Sequence, residues 1–279
     1  MPEIVVVTDC SSDMAPEKAR ALGIRQVPMT TYISRGASPL PALMTPASFW
    51  GELKAAGGPV RVAQPTPGDF HKTYRDILET SDPDVTILSI HAAGRFSGAL
   101  HSAHLAAEML SGSRIRVIDS GLVGPPLGQV VVETAALVGA DHSAEEIMDV
   151  VYSLLSRIRV MVYAQDLGGL TDAPPEGWWH RMSRAAYRPF QPNLYTLGEG
   201  EMTPVGRCPT VEDAQARFIE FIAEAERLGF VGILIAGEEP SDTDLTDHVD
   251  PATEVEQFIM GPVLGAHLGR GSMGVFTIG

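Results

Sequence analysis

The run Ile4-Val5-Val6-Val7-Thr8-Asp9 decides the fold class, because an unbroken series of mostly β-branched residues is typical of a strand buried on both faces. Ser12, Asp13 and Pro16 follow it and are residues that commonly begin helices. The same alternation continues, with strands predicted at 60–63, 85–90 and 114–119 and helices at 68–79, 97–110, 127–138 and 144–156. The pattern predicts an α/β fold, with a mostly parallel sheet that carries helices on both faces.

The second half of the sequence has a different pattern. Gly198-Glu199-Gly200 separates two extended runs, 194–197 and 202–205, which predicts a β-hairpin. An amphipathic helix is predicted over 210–228, and strands over 230–236, 255–260 and 273–278. We therefore expect two domains, an N-terminal α/β domain at 1–168 and a C-terminal α+β domain with hairpin strands at 169–279, with a ligand site between them.

Charge and composition exclude several classes of partner. The chain of 279 residues has 35 acidic and 20 basic side chains, a formal net charge of -15, which disfavours nucleic acids and anionic membrane surfaces. No apolar run approaches the ~20 residues of a membrane span, so no stable membrane insertion is expected. The chain has only two cysteines, and its first residues do not include the basic segment of a signal peptide. Both features predict a cytoplasmic protein.

A glycine-rich segment near the C-terminus surrounds one histidine. Gly261, Gly265, Gly269 and Gly271 flank His267, and we expect this segment to form a loop between two strands. His267 in such a loop either touches a ligand or is a satisfied structural residue. Because ligands of parallel α/β sheets bind beyond the carboxyl ends of the strands, the predicted turns at 9–12, 63–66 and 92–98 are further candidates.

Motifs for nucleotide, metal or triad chemistry are missing from the sequence. Gly94-Arg95-Phe96-Ser97-Gly98 lacks the Gly-x-Ser-x-Gly spacing of a nucleophile elbow, so Ser97 is either a helix cap or an anion contact. His101 and His104 lack a companion at a metal-ligand spacing, and no phosphate-binding glycine motif is present. We therefore predict neither a metal nor a cofactor.

Three arginines form a basic stripe on this acidic chain. Arg181, Arg184 and Arg188 follow a helical spacing of i, i+3 and i+7. The stripe is either a solvated surface or a docking site for an anionic partner or a phosphate.

Five motifs in sequence order resemble the DegV family of bacterial proteins over nearly the whole chain. They are Thr8-Asp9-Cys10-Ser11-Ser12-Asp13, Ala63-Gln64-Pro65-Thr66, Phe96-Ser97-Gly98-Ala99, Val117-Ile118-Asp119-Ser120 and Gly265-Ala266-His267-Leu268-Gly269-Arg270-Gly271. The resemblance implies two α/β domains that enclose a long-chain fatty acid in an apolar tunnel. It also implies that the protein is not itself an enzyme but presents the lipid to a separate ATP-binding fatty-acid kinase subunit.

The resemblance implies a head-group site, and this sequence departs from the family pattern there. The implied head-group residues are His267, Ser97, Ala63, Gly94, Arg95 and Gly98, and the bound fatty acid is the only expected ligand. Ala63 and Ala99 stand where the family has hydroxyl residues, and Leu170 and Arg270 where it has arginine and proline. Backbone N–H groups, Arg95 or Arg270 would then help to hold the carboxylate. The alternative function is a small-molecule hydrolase or transferase that uses His267 with Asp9 or Ser97.

Overall fold

The computed structural model describes residues 2–33, 39–41, 43–140, 142–165, 193–198, 200–225, 228–239 and 244–279. Its first sheet contains four parallel strands in the order β2-β1-β5-β6. These strands are β1 Ile4–Asp9, β2 Arg25–Val27, β5 Thr86–His91 and β6 Arg114–Asp119. A small antiparallel pair, β3 Thr30–Ile33 and β4 Val60–Ala63, lies beside it. The predicted parallel sheet is confirmed.

Helices cover both faces of the first sheet, which explains its apolar strands. The helices of this half are α1 Pro16–Ala21, α2 Pro46–Ala56, α3 Pro67–Thr80, α4 Ala99–Met109, α5 Pro125–Gly139 and α6 Ala144–Arg157. Phe70 and Tyr74 of α3 pack with Ala103 of α4 against Val7 and Ile87 on one face. Helix α5 covers the other face and contacts β1.

The second sheet has six strands in the order β11-β10-β12-β7-β8-β9. They are β7 Ile158–Tyr163, β8 Leu194–Gly198, β9 Glu201–Gly206, β10 Phe230–Ile235, β11 Glu254–Ile259 and β12 Met273–Ile278. Helix α7, Val211–Ala223, covers one face with Phe218 and Phe221. The other face joins α5 and the first sheet in one apolar core that includes Val131, Phe276 and Leu88. The α5 layer therefore lies between the two sheets.

Several predictions about the second half have structural outcomes. The hairpin is confirmed as the antiparallel pair β8 and β9. Strand β7 precedes the predicted boundary at 168 but pairs with β12 in the second sheet. The boundary itself, Leu170 and the stripe Arg181, Arg184 and Arg188 lie within 166–192, outside the described residues, so they stay predictions. In the described part of the chain, no helix is both long and apolar enough to cross a membrane.

The glycine-rich segment around His267 is a helix, so the predicted loop was wrong. Helix α8 spans Pro262–Leu268 and ends at Gly269, whose φ of 86° suits glycine. Proline at its first position favours helix formation, and the one glycine inside it has a packing role. A Cβ on Gly265 would lie 2.6 Å from Cζ2 of Trp50, so the bare backbone allows α8 to approach α2.

Candidate functional site

Two of the predicted turns are tied together by a side-chain hydrogen bond. The backbone N–H of Gly98, after β5, donates to Oε1 of Gln64, after β4, over 2.7 Å. A Cβ on Gly98 would lie 2.3 Å from the amide nitrogen of Gln64, so a larger residue would displace the Gln64 side chain from this position. Helix α8, which carries His267, packs against β4, the strand that ends at Ala63. The Ala63 and Ser97–Gly98 turns are thus joined directly, and the helix that carries His267 contacts the strand that leads into the first of them.

Ser97 precedes Gly98, the N-cap residue of helix α4, and its side chain bonds to the first residue of that helix. Its Oγ accepts a hydrogen bond from the N–H of Ala99 over 3.1 Å. A hydroxyl that accepts one hydrogen bond still carries its own hydrogen for donation. The contact with Ala99 agrees with the structural alternative for Ser97, and its role as a donor for a carboxylate stays a prediction.

His267 is a neutral imidazole at physiological pH. Its side chain lies in the last turn of α8, and burial lowers its pKa to about 4. One ring nitrogen is then a donor and the other an acceptor. His267 can donate a hydrogen bond to a carboxylate without adding a positive charge.

Gly94 and Arg95 have other contacts. The N–H of Gly94 donates to Oδ2 of Asp119 over 3.3 Å, and the guanidinium of Arg95 forms an ion pair with Glu201 of β9. Both residues line a separate cavity of about 330 Å³ between the turn after β5 and the β8–β9 hairpin. The guanidinium of Arg270 is paired with Glu238 over 2.9 Å. Both arginines considered for the carboxylate already face a carboxylate of the protein.

A buried hydrogen-bond chain involves Asp9 and His91. Oδ2 of Asp9 lies 2.6 Å from Nδ1 of His91, whose Nε2 lies 2.6 Å from Oγ of Ser89, which in turn lies 2.8 Å from the Tyr74 hydroxyl. Burial by itself would raise the pKa of Asp9, but its bonds with His91 and Ser11 outweigh burial and lower that pKa. All four residues of the chain are inaccessible to solvent.

The alternative function, in which His267 acts together with Asp9, is disfavoured by the existing hydrogen bonds of Asp9. Oδ1 of Asp9 accepts from the N–H of Ser11 over 2.8 Å, and Oδ2 contacts His91. Both carboxylate oxygens are engaged within the buried chain. The described residues also contain no cluster of three histidine, cysteine or acidic side chains that could hold a metal ion.

Two adjoining cavities lie beside the turn after β1, and the narrower one reaches the N-terminal end of α8. Met14, Met29 and Met44 line a narrow one of about 20 Å³, together with Pro262 and Val263 of α8. The second has a volume of about 260 Å³ and lies between α1, α2, α5 and β11. Asp13, Met14 and Pro46 line both cavities, so the two are neighbours.

Sequence reasoning missed two residues of the larger cavity and one of the tied turns. Asp13 was predicted as a helix-capping residue, with an acid/base role as the alternative, and Gln257 carried no signal. Gln64 was quoted only as part of a motif, although its place directly after a strand and before a helix was a signal for a turn contact.

Fold and site define a two-sheet α/β protein in which strand-end turns meet a histidine-bearing helix. A family model described as "Uncharacterised protein, DegV family" matches residues 3–173, and the chain therefore belongs to the DegV family. A DegV domain-containing protein of Halalkalibacterium halodurans is 27% identical over 99% of this chain and 98% of its own. The family resemblance drawn from the sequence is confirmed.

Two solved structures share this architecture over the whole chain. One is a DegV family protein from Thermus thermophilus described as fatty acid binding, with a TM-score of 0.82 at 26% identity, covering 100% of this chain and 99% of that one. The other is DegV of Bacillus subtilis, described as a fatty acid binding protein, with a TM-score of 0.84 at 21% identity and full coverage of both chains. At that lower identity the second match shows the fold alone.

Proposed function

We propose that this protein binds a long-chain fatty acid whose carboxylate contacts Ser97 and His267. The observation that supports the proposal is the hydrogen bond that joins the two turns through Gln64 and Gly98, together with the packing of the helix that bears His267 against the strand before the first turn. The fatty acid binding of the similar Thermus thermophilus protein supports the same ligand class.

The proposed head-group site relies on two neutral donors. Ser97 donates from its hydroxyl, and His267 donates from its ring nitrogen. Ala63 offers no side-chain donor, and the N–H of Gly98 is already bonded to Gln64. Gly94 and Arg95 remain proposed head-group residues. Arg95 can reach the carboxylate of the lipid only after its ion pair with Glu201 breaks. Orientation of a head group needs only a few such polar groups.

Apolar burial supplies most of the expected affinity. Each methylene that leaves water contributes about 0.8 kcal/mol, so a long chain compensates for a sparse head-group site. We propose that the acyl chain runs along α8 into the narrow cavity at its N-terminal end and from there into the adjoining larger one. The space seen there is smaller than the ~300–1,000 Å³ of typical ligand pockets, so side chains must move to admit the lipid. Methionines suit that role, because their unbranched side chains adapt to changing shapes.

Replacing His267 with alanine is expected to weaken fatty acid binding by about 10-fold to 100-fold, the effect of one hydrogen bond to a charged group. His267→Gln, which keeps a side-chain N–H donor, is the matched control and should retain most of the affinity. Binding of hexadecanoic acid is measured by calorimetry, with mass spectrometry of lipid that copurifies. Equal affinity of the alanine variant and the wild-type protein would remove His267 from the site. A wild-type protein that neither carries lipid nor binds hexadecanoic acid would refute the proposed function.

We further propose that the protein presents its lipid to a separate ATP-binding kinase subunit and performs no chemistry itself. We propose that it does so in the cytoplasm. Its expected docking residues are Arg181, Arg184 and Arg188. When such a kinase, ATP and the loaded protein are mixed, we expect acyl phosphate to form. Replacing all three arginines with glutamine should slow that reaction while fatty acid affinity is unchanged. Unchanged phosphorylation would show that docking occurs elsewhere.

A further inference from the structure

The start of helix α8 is held by a side chain from the turn after β1. Oδ2 of Asp13 accepts a hydrogen bond from the N–H of Gly261 over 2.7 Å, a contact across 248 residues. Gly261 is the residue directly before the helix, and its own side has no side-chain cap. A Cβ on Gly261 would lie 2.7 Å from Cγ of Asp13, so the carboxyl packs directly against the bare backbone.

The backbone of Asp13 adopts a conformation that most residues avoid. Its φ of 52° and ψ of 19° lie in the left-handed region, and no other non-glycine residue in the described part of the chain has a positive φ. This conformation closes the turn, because the N–H of Asp13 donates to the carbonyl of Cys10 over 3.2 Å. A residue kept in this region indicates that its surroundings fix it there, often in support of a functional site.

The turn that carries Asp13 is itself fixed to the first sheet. Oδ1 of Asp9, the last residue of β1, accepts from the N–H of Ser11 over 2.8 Å, and Oγ of Ser12 donates to the carbonyl of Asp9 over 2.9 Å. The carbonyl of Ser11 accepts from the N–H of Gly124, directly before α5, over 2.7 Å. The carboxyl of Asp13 therefore extends from a well-anchored turn.

Helix α8 depends on contacts of this kind for its position. It has seven residues, and helices this short are unstable on their own. His267 lies in its last turn, ~9 Å from Gly261 at 1.5 Å per helical residue. A change in the starting point or the tilt of the helix therefore moves the imidazole away from its present place.

We infer that Asp13 is a positioning residue of the fatty-acid site, which holds the start of α8 through Gly261 and so places His267 against the lipid carboxylate. The inference rests on the proposed function, because His267 is the proposed head-group donor. The far end of α8 is anchored separately, since Oγ of Ser272 donates to the carbonyl of Leu268 over 2.6 Å. Loss of the Asp13 contact should therefore tilt the helix without unfolding it.

Two variants separate the side-chain contact of Asp13 from its backbone conformation. Glycine and asparagine both tolerate the left-handed region, but only asparagine keeps an oxygen that can accept from Gly261. We expect Asp13→Gly to weaken binding of hexadecanoic acid by about 3-fold to 10-fold, which is less than the loss of His267 itself. Asp13→Asn should retain most of the affinity. Calorimetry measures both, and wild-type affinity in Asp13→Gly would overturn the inference.

A double-mutant cycle tests whether Asp13 acts through His267. When His267 is already alanine, adding Asp13→Gly should change the affinity for hexadecanoic acid by about 2-fold or less, because the two changes remove one shared interaction. The same loss of affinity in both backgrounds would overturn the inference, since Asp13 would then affect binding independently of the imidazole.

A measurement on the lipid-free protein keeps this inference separate from the proposed function. Burial lowers the pKa of His267 to about 4, and a tilted α8 should admit water to the ring. In an NMR titration, the pKa of His267 in Asp13→Gly should therefore rise towards the ~6.5 of an exposed histidine. An unchanged pKa would overturn the inference. A wild-type protein that fails to bind hexadecanoic acid would refute the proposed function, whatever the titration shows.

The control for a general loss of stability is Ile77→Val. Ile77 is buried in α3 and belongs to the apolar core between α3, α4 and the first sheet, which contains no residue of α8. Removing its methylene group destabilises the protein modestly, and should change neither the pKa of His267 nor the affinity for hexadecanoic acid. Thermal unfolding verifies that all variants are folded. If Ile77→Val reproduced both effects of Asp13→Gly, those effects would reflect lost stability alone, and the inference would be overturned.

Discussion

Replacing Asp9 with alanine is expected to lower the free energy of unfolding by several kcal/mol, because about 1–3 kcal/mol is lost for each buried donor left without its acceptor. The change leaves Nδ1 of His91 without its carboxylate at a site with no solvent access. It also removes the acceptor for the N–H of Ser11, and with it the cap of the turn after β1. Urea unfolding followed by circular dichroism measures the effect.

Two further variants make the Asp9 prediction specific. Asp9→Asn keeps the side-chain shape and one acceptor, so it should be less destabilising than alanine. Asp76→Ala removes an exposed carboxylate that pairs with Lys72 over 2.8 Å, and should leave the urea midpoint nearly unchanged. If Asp9→Ala and Asp76→Ala unfold at the same urea concentration, the buried chain from Asp9 to Tyr74 contributes no net stability.

The first sheet could be predicted from the sequence because its signals are local. The run from Ile4 to Asp9 is apolar on both faces, and a helix covers each face. Thr66 and Asp69 begin α3 with a capping box that is visible as a short sequence pattern. Such patterns need only neighbouring residues, so they survive in a single sequence.

Glycine spacing misled the prediction for the segment around His267. A dense set of glycines suggested a loop. In the structure Gly265 lies in a helix, and the absence of a Cβ there lets the helix pack closely against Trp50. Trp50 also donates from Nε1 to the carbonyl of Met260 over 2.7 Å, a contact across 210 residues. Glycine density alone does not distinguish a flexible turn from a close helix contact, because both require a missing Cβ.

Site contacts could not be predicted because their partners are distant in sequence. Gln64 meets Gly98 across 34 residues, and Asp9 meets His91 across 82. Asp13 bonds to Gly261 across 248. Nothing in the local pattern of Asp9 and Asp13, two acids of one turn, indicates that one is held charged and the other neutral. Their environments decide this, since Asp9 bonds to a histidine whereas Asp13 is buried against the backbone of Gly261 near the like charge of Asp9.

Asp13→Asn is expected to stabilise the protein, by an amount that grows with pH. The folded state holds the pKa of Asp13 at about 8, whereas an unfolded aspartate has a pKa of ~3.9. Folding therefore requires proton uptake between these two values. Stability is fully retained below the unfolded pKa and is lost by about 1.4 kcal/mol per pH unit as the pH rises towards the folded pKa. Asparagine is always neutral, so it avoids this loss.

The native contacts of Asp13 are compatible with asparagine. Its amide oxygen can accept from the N–H of Gly261, and the backbone φ of 52° is one that asparagine tolerates. Urea unfolding of both proteins from pH 5 to pH 9 should give a difference in stability that is roughly 1–2 kcal/mol at pH 5, rises to about 5 kcal/mol near pH 8 and changes little above it. His267, whose folded pKa of about 4 gives the opposite slope below pH ~6.5, contributes equally to both proteins. A difference that does not change with pH would mean that water reaches Asp13 in the folded protein, and its carboxyl would then be charged at the cavity wall.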